Sequence, residues 1–225
     1  LAGRHFGTLD ELLAELKTDR ISYPCIIKKA KGAMGRGVFL ANNEKELIKY
    51  AGKISRTPHI IAEFKEKVRR HKHPGYKPES GYQDKFILQP FIRHLKNDWK
   101  IIINGDHYYI LNRGIKQGDF RASGSGYNYK AGSKSGVPTE MLDKVEELYH
   151  TLDVPHLSLD FAFDGQKGYV VEFQAVYFGT ATLEFSDDYF IKQDGEWMTV
   201  TKHMNQEQEY VHGLLHYLKK KKILP

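Results

Sequence analysis

Residues 99–112 read WKIIINGDHYYILN, two apolar runs that meet at Asn104-Gly105-Asp106. Glycine between Asn and Asp favours a tight reverse turn, so Trp99–Asn104 and His107–Asn112 are constrained to fold back as antiparallel strands. The arrangement recurs further on, where Leu157–Phe163 and Gly168–Phe173 flank Asp164-Gly165. Parallel strands need long crossovers, which these turns are too short to provide. With helical segments between the hairpins, the expected class is α+β with mainly antiparallel sheets, not a doubly wound parallel sheet.

Other elements follow from local signals. Thr8-Leu9-Asp10-Glu11 fits a capping box ahead of Leu12, Leu13 and Leu16, predicting a helix over about 8–18. Tyr23–Lys28, Val38–Ala41 and Phe86–Ile92 read as strands. A helix capped by Asn42 or Asn43 runs to about residue 53, another opens at Pro138 and ends near Leu152, and Glu207–Lys219 forms the last. Residues 55–84 are polar, rich in His and Lys, and broken by Pro58, Pro74 and Pro78. They read as a long loop with a short element at Ile60–Glu66. Residues 114–137, rich in Gly and Ser, read as a second, basic loop carrying Lys116, Arg121, Lys130 and Lys134.

Composition narrows the functional classes. Apolar residues make up 40% of 225, enough for a sizeable core. The apolar runs are far too short to span a membrane, and no membrane partner is expected. The first residues lack the charged-then-apolar layout of a signal peptide. A single cysteine, Cys25, excludes an internal disulfide framework. Its apolar flanks mark it as core rather than nucleophile, and the expected compartment is the reducing cytoplasm. A net charge of +6 suits anionic partners, from nucleotides to polyanions. The basic clusters at Lys65–Lys77 and Lys219–Lys222 also fit a solvated surface.

Residues 160–174, DFAFDGQKGYVVEFQ, carry three oxygen donors for a hard cation, Asp160, Glu172 and Gln174. A turn centred on Gln166 places Asp160 opposite Glu172 and Ser158 opposite Gln174, with Glu172 and Gln174 on one face. Opposed carboxylates lie about 4.5–5.5 Å apart at Cβ and repel unless a cation lies between them. Oxygen donors alone suit Mg²⁺, with Mn²⁺ as the alternative. From this stretch alone, a solvated strand edge fits as well as a metal site. A slip of one residue would separate the two carboxylates onto opposite faces.

Upstream, Ile26–Val38 reads as a strand, a glycine-rich turn and a second strand, with Lys28 near the end of the first. Gly32, Gly35 and Gly37 would let backbone N–H groups approach a phosphate, with Arg36 among them. The loop has neither the GK[ST] ending of a Walker A loop nor the following helix of a dinucleotide fingerprint. A glycine-rich hairpin on a basic surface fits it too.

Taken in order, these parts resemble the ATP-grasp superfamily, which closes ATP between two α+β subdomains. Within it they resemble the ribosomal-protein glutamate ligase and glutathione synthetase-like branch. The residues that carry the resemblance are FILQPFI (Phe86–Ile92), Asn97-Asp98-Trp99-Lys100, Tyr109-Ile110-Leu111-Asn112-Arg113, Gly118-Asp119-Phe120-Arg121, and Asp160 with Glu172-Phe173-Gln174. The likeness covers roughly residues 8–185. It implies an ATP-dependent carboxylate–amine ligase acting through an acyl phosphate, using ATP and Mg²⁺. Lys28 would lie on the α-phosphate side of ATP, and Gly32–Gly37 would cover the β- and γ-phosphates. The main chain of Gln89, Pro90, Phe91 and Ile92 would meet adenine, and Asp98 the ribose. Arg113 and Arg121 would serve catalysis at the transferred phosphate or an acidic substrate. Asp160, Glu172 and Gln174 would hold the metal. The partners implied are a carboxylate substrate and an amine acceptor, not nucleic acid. A kinase-like phosphotransferase of the same superfamily, or a non-catalytic nucleotide- or polyanion-binding module, are the alternatives.

The resemblance also sets domain expectations. Residues 1–20 would be a leading helix and linker, 21–88 a small lid subdomain with the glycine-rich loop, and 89–225 the larger subdomain with the metal hairpin. The branch's N-terminal α/β domain is not expected within this stretch, so a further domain or partner subunit would supply it. Pro90 stands where the branch has a hinge glutamate, Lys100 where it has arginine, and Gln174 where it has asparagine. Pro90 lacks an N–H, so that hinge contact would come from its neighbours. The loop over 65–84 is longer than the branch's, and would be either a substrate-facing lid or a basic surface loop.

Overall fold

The computed structural model describes residues 3–18, 21–31, 37–56, 65, 68–77, 81–122, 124–176, 178–203 and 205–224. The chain divides into two bodies, Leu1–Ile92 and Arg93–Pro225. The division falls four residues beyond the expected 88/89 boundary, because the strand starting at Phe86 pairs only within the first body.

The first body is a four-stranded antiparallel sheet in the order β1-β4-β2-β3. Its elements are β1 (Arg4–Phe6), α1 (Leu9–Glu15), β2 (Cys25–Lys29), β3 (Val38–Ala41), α2 (Glu44–Ser55) and β4 (Phe86–Pro90). Thr8 caps α1 by accepting the Glu11 N–H at 3.1 Å, while the Glu11 carboxylate takes the Gly7 N–H at 2.7 Å. Asn43 caps α2 in the same way, accepting the Glu46 N–H at 3.0 Å. Leu12 of α1 and Leu47, Ala51 and Ile54 of α2 bury against Cys25, Ile27, Phe86 and Leu88 of the sheet. The leading helix is thus part of this core. Strand β1 was not foreseen, because three residues carry too little periodicity to be read. Residues 68–72 are helical, where a loop was expected. The element expected at Ile60–Glu66 lies outside the described residues apart from Lys65.

The second body is a seven-stranded antiparallel sheet. Its main path is β11-β10-β6-β5-β8-β9, with β7 pairing β6. In chain order it comprises β5 (Asn97–Asn104), β6 (His107–Gly114), β7 (Lys130–Ala131), α3 (Thr139–Leu152), β8 (His156–Phe163), β9 (Gly168–Gln174), α4 (Ala181–Phe185), β10 (Asp188–Gln193), β11 (Glu196–Thr201) and α5 (Gln206–Lys220). The expected Gly/Ser loop contains β7 and a 3₁₀ turn at Gly132–Ser135. The β10–β11 hairpin turns at Asp194-Gly195, another Asp-Gly signal. The architecture is α+β with antiparallel sheets throughout.

Strand alternation gives this sheet two apolar faces. Ile101, Ile103, Tyr108, Ile110, Leu157 and Leu159 pack with Met141, Leu142, Val145 and Tyr149 of α3. Ile102 and Tyr109 point the other way, into a smaller cluster with Phe178, Leu183 and Tyr189, joined by Tyr210 of α5. Burying opposite faces makes the register unforgiving, since a one-residue slip exchanges them. Asp98, Lys100, Arg113, Asp160 and Glu172 share the face of Ile102.

Candidate functional site

The metal hairpin is built from its turn outward. Asp164 Oδ1 accepts the N–H groups of Gln166 at 2.8 Å and Lys167 at 2.7 Å, and Oδ2 accepts the Tyr169 hydroxyl at 2.8 Å. Gly165 takes φ +99, a conformation that suits glycine. Next to the turn, Phe163 pairs with Gly168, Ala162 with Tyr169 and Phe161 with Val170. Continued unchanged, that register would put Asp160 opposite Val171. A bulge at Val171 restores the other register, so that Asp160 faces Glu172 and Ser158 faces Gln174. Without the bulge, Glu172 would share the face of Leu159, which packs against α3.

Four adjacent strands, β6-β5-β8-β9, bring the charges together. Asp98 lies directly opposite Arg113, Lys100 opposite Asp160, and Asp160 opposite Glu172. Arg113 donates from Nε to Asp98 Oδ1 and from Nη2 to Asp98 Oδ2, both at 2.7 Å. Its Nη2 also lies 3.0 Å from Asp160 Oδ2, and Lys100 Nζ lies 3.4 Å from Asp160 Oδ1. Both oxygens of Asp160 therefore meet a cation. Gln174 Nε2 donates to Glu172 Oε1 at 3.3 Å. Arg113 is buried, Asp98 and Asp160 nearly so, and Glu172 is exposed.

Burial raises the Asp98 carboxyl to about 6, against the lowering pull of Arg113; the charge of Asp160 adds to the rise. Arg113 stays fully protonated, because Asp160 and Asp98 outweigh its own desolvation. Three carboxylates (Asp98, Asp160 and Glu172) against two cations (Arg113 and Lys100) leave one net negative charge. A divalent ion would turn that into one positive charge, suited to a phosphate.

The structure thus joins Asp98, Arg113, Asp160, Glu172 and Gln174 in the second body. It gives Asp98 and Arg113 to each other, where the resemblance implied a ribose for one and a phosphate for the other. Arg121 lies in the loop after Gly118, apart from this row in sequence. Its Nε and Nη2 donate to Asp119 Oδ1 at 3.0 Å and Oδ2 at 3.1 Å, and the pair is partly solvent-exposed. Asp119 Oδ1 also accepts the Phe120 and Arg121 N–H groups, at 2.7 and 3.1 Å.

In the first body, Lys28 sits in β2 between Val38 of β3 and Ile87 of β4. Gly37 takes φ +76, and its carbonyl accepts the Lys29 N–H at 3.1 Å, closing the β2–β3 hairpin. Gly32, Gly35 and Arg36 lie outside the described residues. Gln89 and Pro90 pair with Ile26 and Cys25 of β2, while Phe91 and Ile92 lie past the end of β4.

No protein-family model matches this sequence, and comparison with curated proteins finds no match. Solved structures do match. An L-amino acid ligase from Bacillus licheniformis is 20% identical at TM-score 0.47, over 77% of this chain and 38% of that one. A D-alanine–D-alanine ligase from Helicobacter pylori is 17% identical at TM-score 0.48, over 83% of this chain and 52% of that one. An ATP-grasp RimK domain protein from Sphaerobacter thermophilus is 14% identical at TM-score 0.44, over 81% of this chain and 55% of that one. This chain spans between 38% and 55% of their lengths.

The donor chemistry of the second body fits a hard divalent ion. Asp160, Glu172 and Gln174 offer only oxygen toward such an ion. The Ser158 hydroxyl, two residues from Asp160 on the same face, is buried without a hydrogen-bond partner among the described residues. Sequence reasoning placed Ser158 opposite Gln174 without counting it as a site residue, and treated Lys100 only as a substituted arginine. Their signal was the strand register, which places them beside Asp160. Among the described residues, no helix is long and apolar enough to cross a membrane.

Proposed function

We propose that this chain provides the nucleotide- and metal-handling part of an ATP-dependent carboxylate–amine ligase of the ATP-grasp type. One observation carries the reading: Asp160 and Glu172 face each other across a hairpin, with Arg113 and Lys100 on the two oxygens of Asp160. Asp160, Glu172 and Gln174 would hold Mg²⁺, which when bound would neutralise polyphosphate charge. Arg113 and Lys100 fix the Asp160 carboxylate in place, so little reorganisation accompanies binding. Arg113 is itself held by Asp98, which makes its role here one of positioning. Lys28 and the glycine-rich loop would meet the phosphates, the main chain of Gln89–Ile92 the adenine, and Arg121 the acidic substrate.

The reaction class needs no protein nucleophile. The substrate carboxylate oxygen attacks the γ-phosphorus of ATP and ADP leaves, giving an acyl phosphate. The amine nitrogen then attacks the acyl carbon, inorganic phosphate leaves, and the amine loses a proton as the amide forms. Positioning and cationic stabilisation of the phosphoryl group supply most of the catalysis.

The test is Mg²⁺-dependent release of ADP from pooled acids and amines, with orthophosphate and product masses followed together. The expected result is equal ADP and orthophosphate with one new amide. ADP with a phosphorylated acceptor and no orthophosphate would make the protein a phosphotransferase. Unchanged Mg-ATP turnover in an Asp160→Ala/Glu172→Ala protein would overturn the metal assignment.

A further inference from the structure

The opposite end of β5 carries a second cluster, independent of the ligase reading. Asp98 to Asn104 spans roughly 20 Å at about 3.4 Å per residue, and the turn beyond presents Asp106. Helix α5 lies against this end of the sheet. Its close approach requires Gly213, where a Cβ would come within 2.7 Å of the His156 ring, and Gly105, where a Cβ would come within 2.8 Å of His216 Cβ. His212 and His216 stand four residues apart on α5, so they share a helix face. His212 Nε2 lies 2.6 Å and His216 Nδ1 3.4 Å from the same oxygen, Asp106 Oδ1. One ligating atom from each of the three residues lies within 4.8 Å of the others.

The surroundings hold these groups in place. His107, next to Asp106, stacks on His212 at 3.8 Å between ring centroids. Its Nδ1 lies 3.0 Å from Oε2 of Glu209, which is fully buried one turn before His212. With Nδ1 turned to Glu209, Nε2 is the ring nitrogen that faces Asp106. That Nε2 lies 4.0 Å from Asp106 Oδ1.

We propose that Asp106, His212 and His216 bind one divalent transition-metal ion of the zinc class, clamping α5 to the β5–β6 turn. Two imidazoles and one carboxylate are a borderline donor set, unlike the all-oxygen set at Asp160. Ligands at about 2.0–2.1 Å around a tetrahedral ion lie about 3.3 Å apart, so the His212–Asp106 contact would open slightly and the two imidazoles, within 4.8 Å, would settle to that spacing. His107 Nε2 or a water would complete the shell. The role is structural: the ion would lock the end of the helix to the hairpin.

The test uses the full chain free of any histidine tag, stripped of metal and titrated with Zn²⁺ in excess Mg²⁺ by calorimetry. The unaltered protein is expected to bind one equivalent. His212→Gln and His216→Gln are each expected to weaken binding by at least about a hundredfold, beyond what outer-shell changes cost. Asp160→Asn is expected to retain it. Co²⁺ should give a ligand-field absorption band that disappears in the His216→Gln protein. On the unaltered protein, Zn²⁺ should slow diethylpyrocarbonate modification of both His212 and His216, read by mass spectrometry. Equal Zn²⁺ binding by the glutamine variants, no binding by the unaltered protein, or unchanged modification of both histidines would each overturn the proposal.

Discussion

Arg113 closes a two-pronged fork on Asp98, Nε to Oδ1 and Nη2 to Oδ2 at 2.7 Å each, and its Nη2 also reaches Asp160 at 3.0 Å. Removing the guanidinium leaves two largely buried carboxylates without their shared cation. Arg113→Ala is expected to cost about 3–5 kcal/mol in urea unfolding, the range for breaking a buried pair. Arg113→Lys keeps the charge and loses the planar fork, so it should fall between the two. An alanine variant as stable as the wild type would show that the fork contributes nothing net.

The same pair sets a pH dependence. Asp98 is raised to about 6 in the folded chain, above its ordinary 3.8. The folded state therefore takes up a proton that the unfolded chain does not hold between those values. The contribution of this group to stability is full below about 4 and is lost as pH rises through about 6. Urea midpoints of metal-free protein should contain a component that falls with pH over that window and is absent in Asp98→Asn. A component rising with pH instead would mean that the pull of Arg113 outweighs burial.

Gly168 sets the geometry next to the bulge. A Cβ there would lie 2.5 Å from Cζ of Phe161, so Gly168→Ala must displace a ring packed in the core. The expected loss is about 1–3 kcal/mol, as for overpacking. Under the ligase reading, Mg²⁺-dependent ATP binding should weaken as well, because Phe161 adjoins Asp160. Parallel thermal unfolding and nucleotide titration separate the two effects.

Cys25 is buried and its thiol is pushed up to about 11. At pH 8 a thiol reagent should react with it only as fast as the first body opens, and at once in denaturant. Rapid reaction with the native chain would contradict its place among Ile27, Leu47 and Phe86.

Local signals were enough for the turns, caps and strand pairs that neighbours in sequence decide. The turn at Gly105-Asp106, the cap at Thr8 and a cap at Asn42 or Asn43, which the structure settles as Asn43, could be read before any coordinates. Each of the turns and caps depends on residues a few positions apart. The expected facing of Asp160 and Glu172 is observed, but the turn between them is not centred on Gln166 as expected: its own register would put Asp160 opposite Val171, and the bulge supplies the pairing. Gln174 was expected opposite Ser158, and it lies there because of that same bulge.

Strand order decided the rest. Arg113 meets Asp160, and Lys100 meets Asp160, because β8 lies beside β5 rather than at a free edge. Asp106 meets His212 across more than a hundred residues because α5 returns to the far end of that sheet. Sequence alone fixes which side chains share a face of one strand or helix, since backbone geometry repeats every few residues. Which faces meet is settled by packing both sides of the second sheet, and that is a property of the whole body.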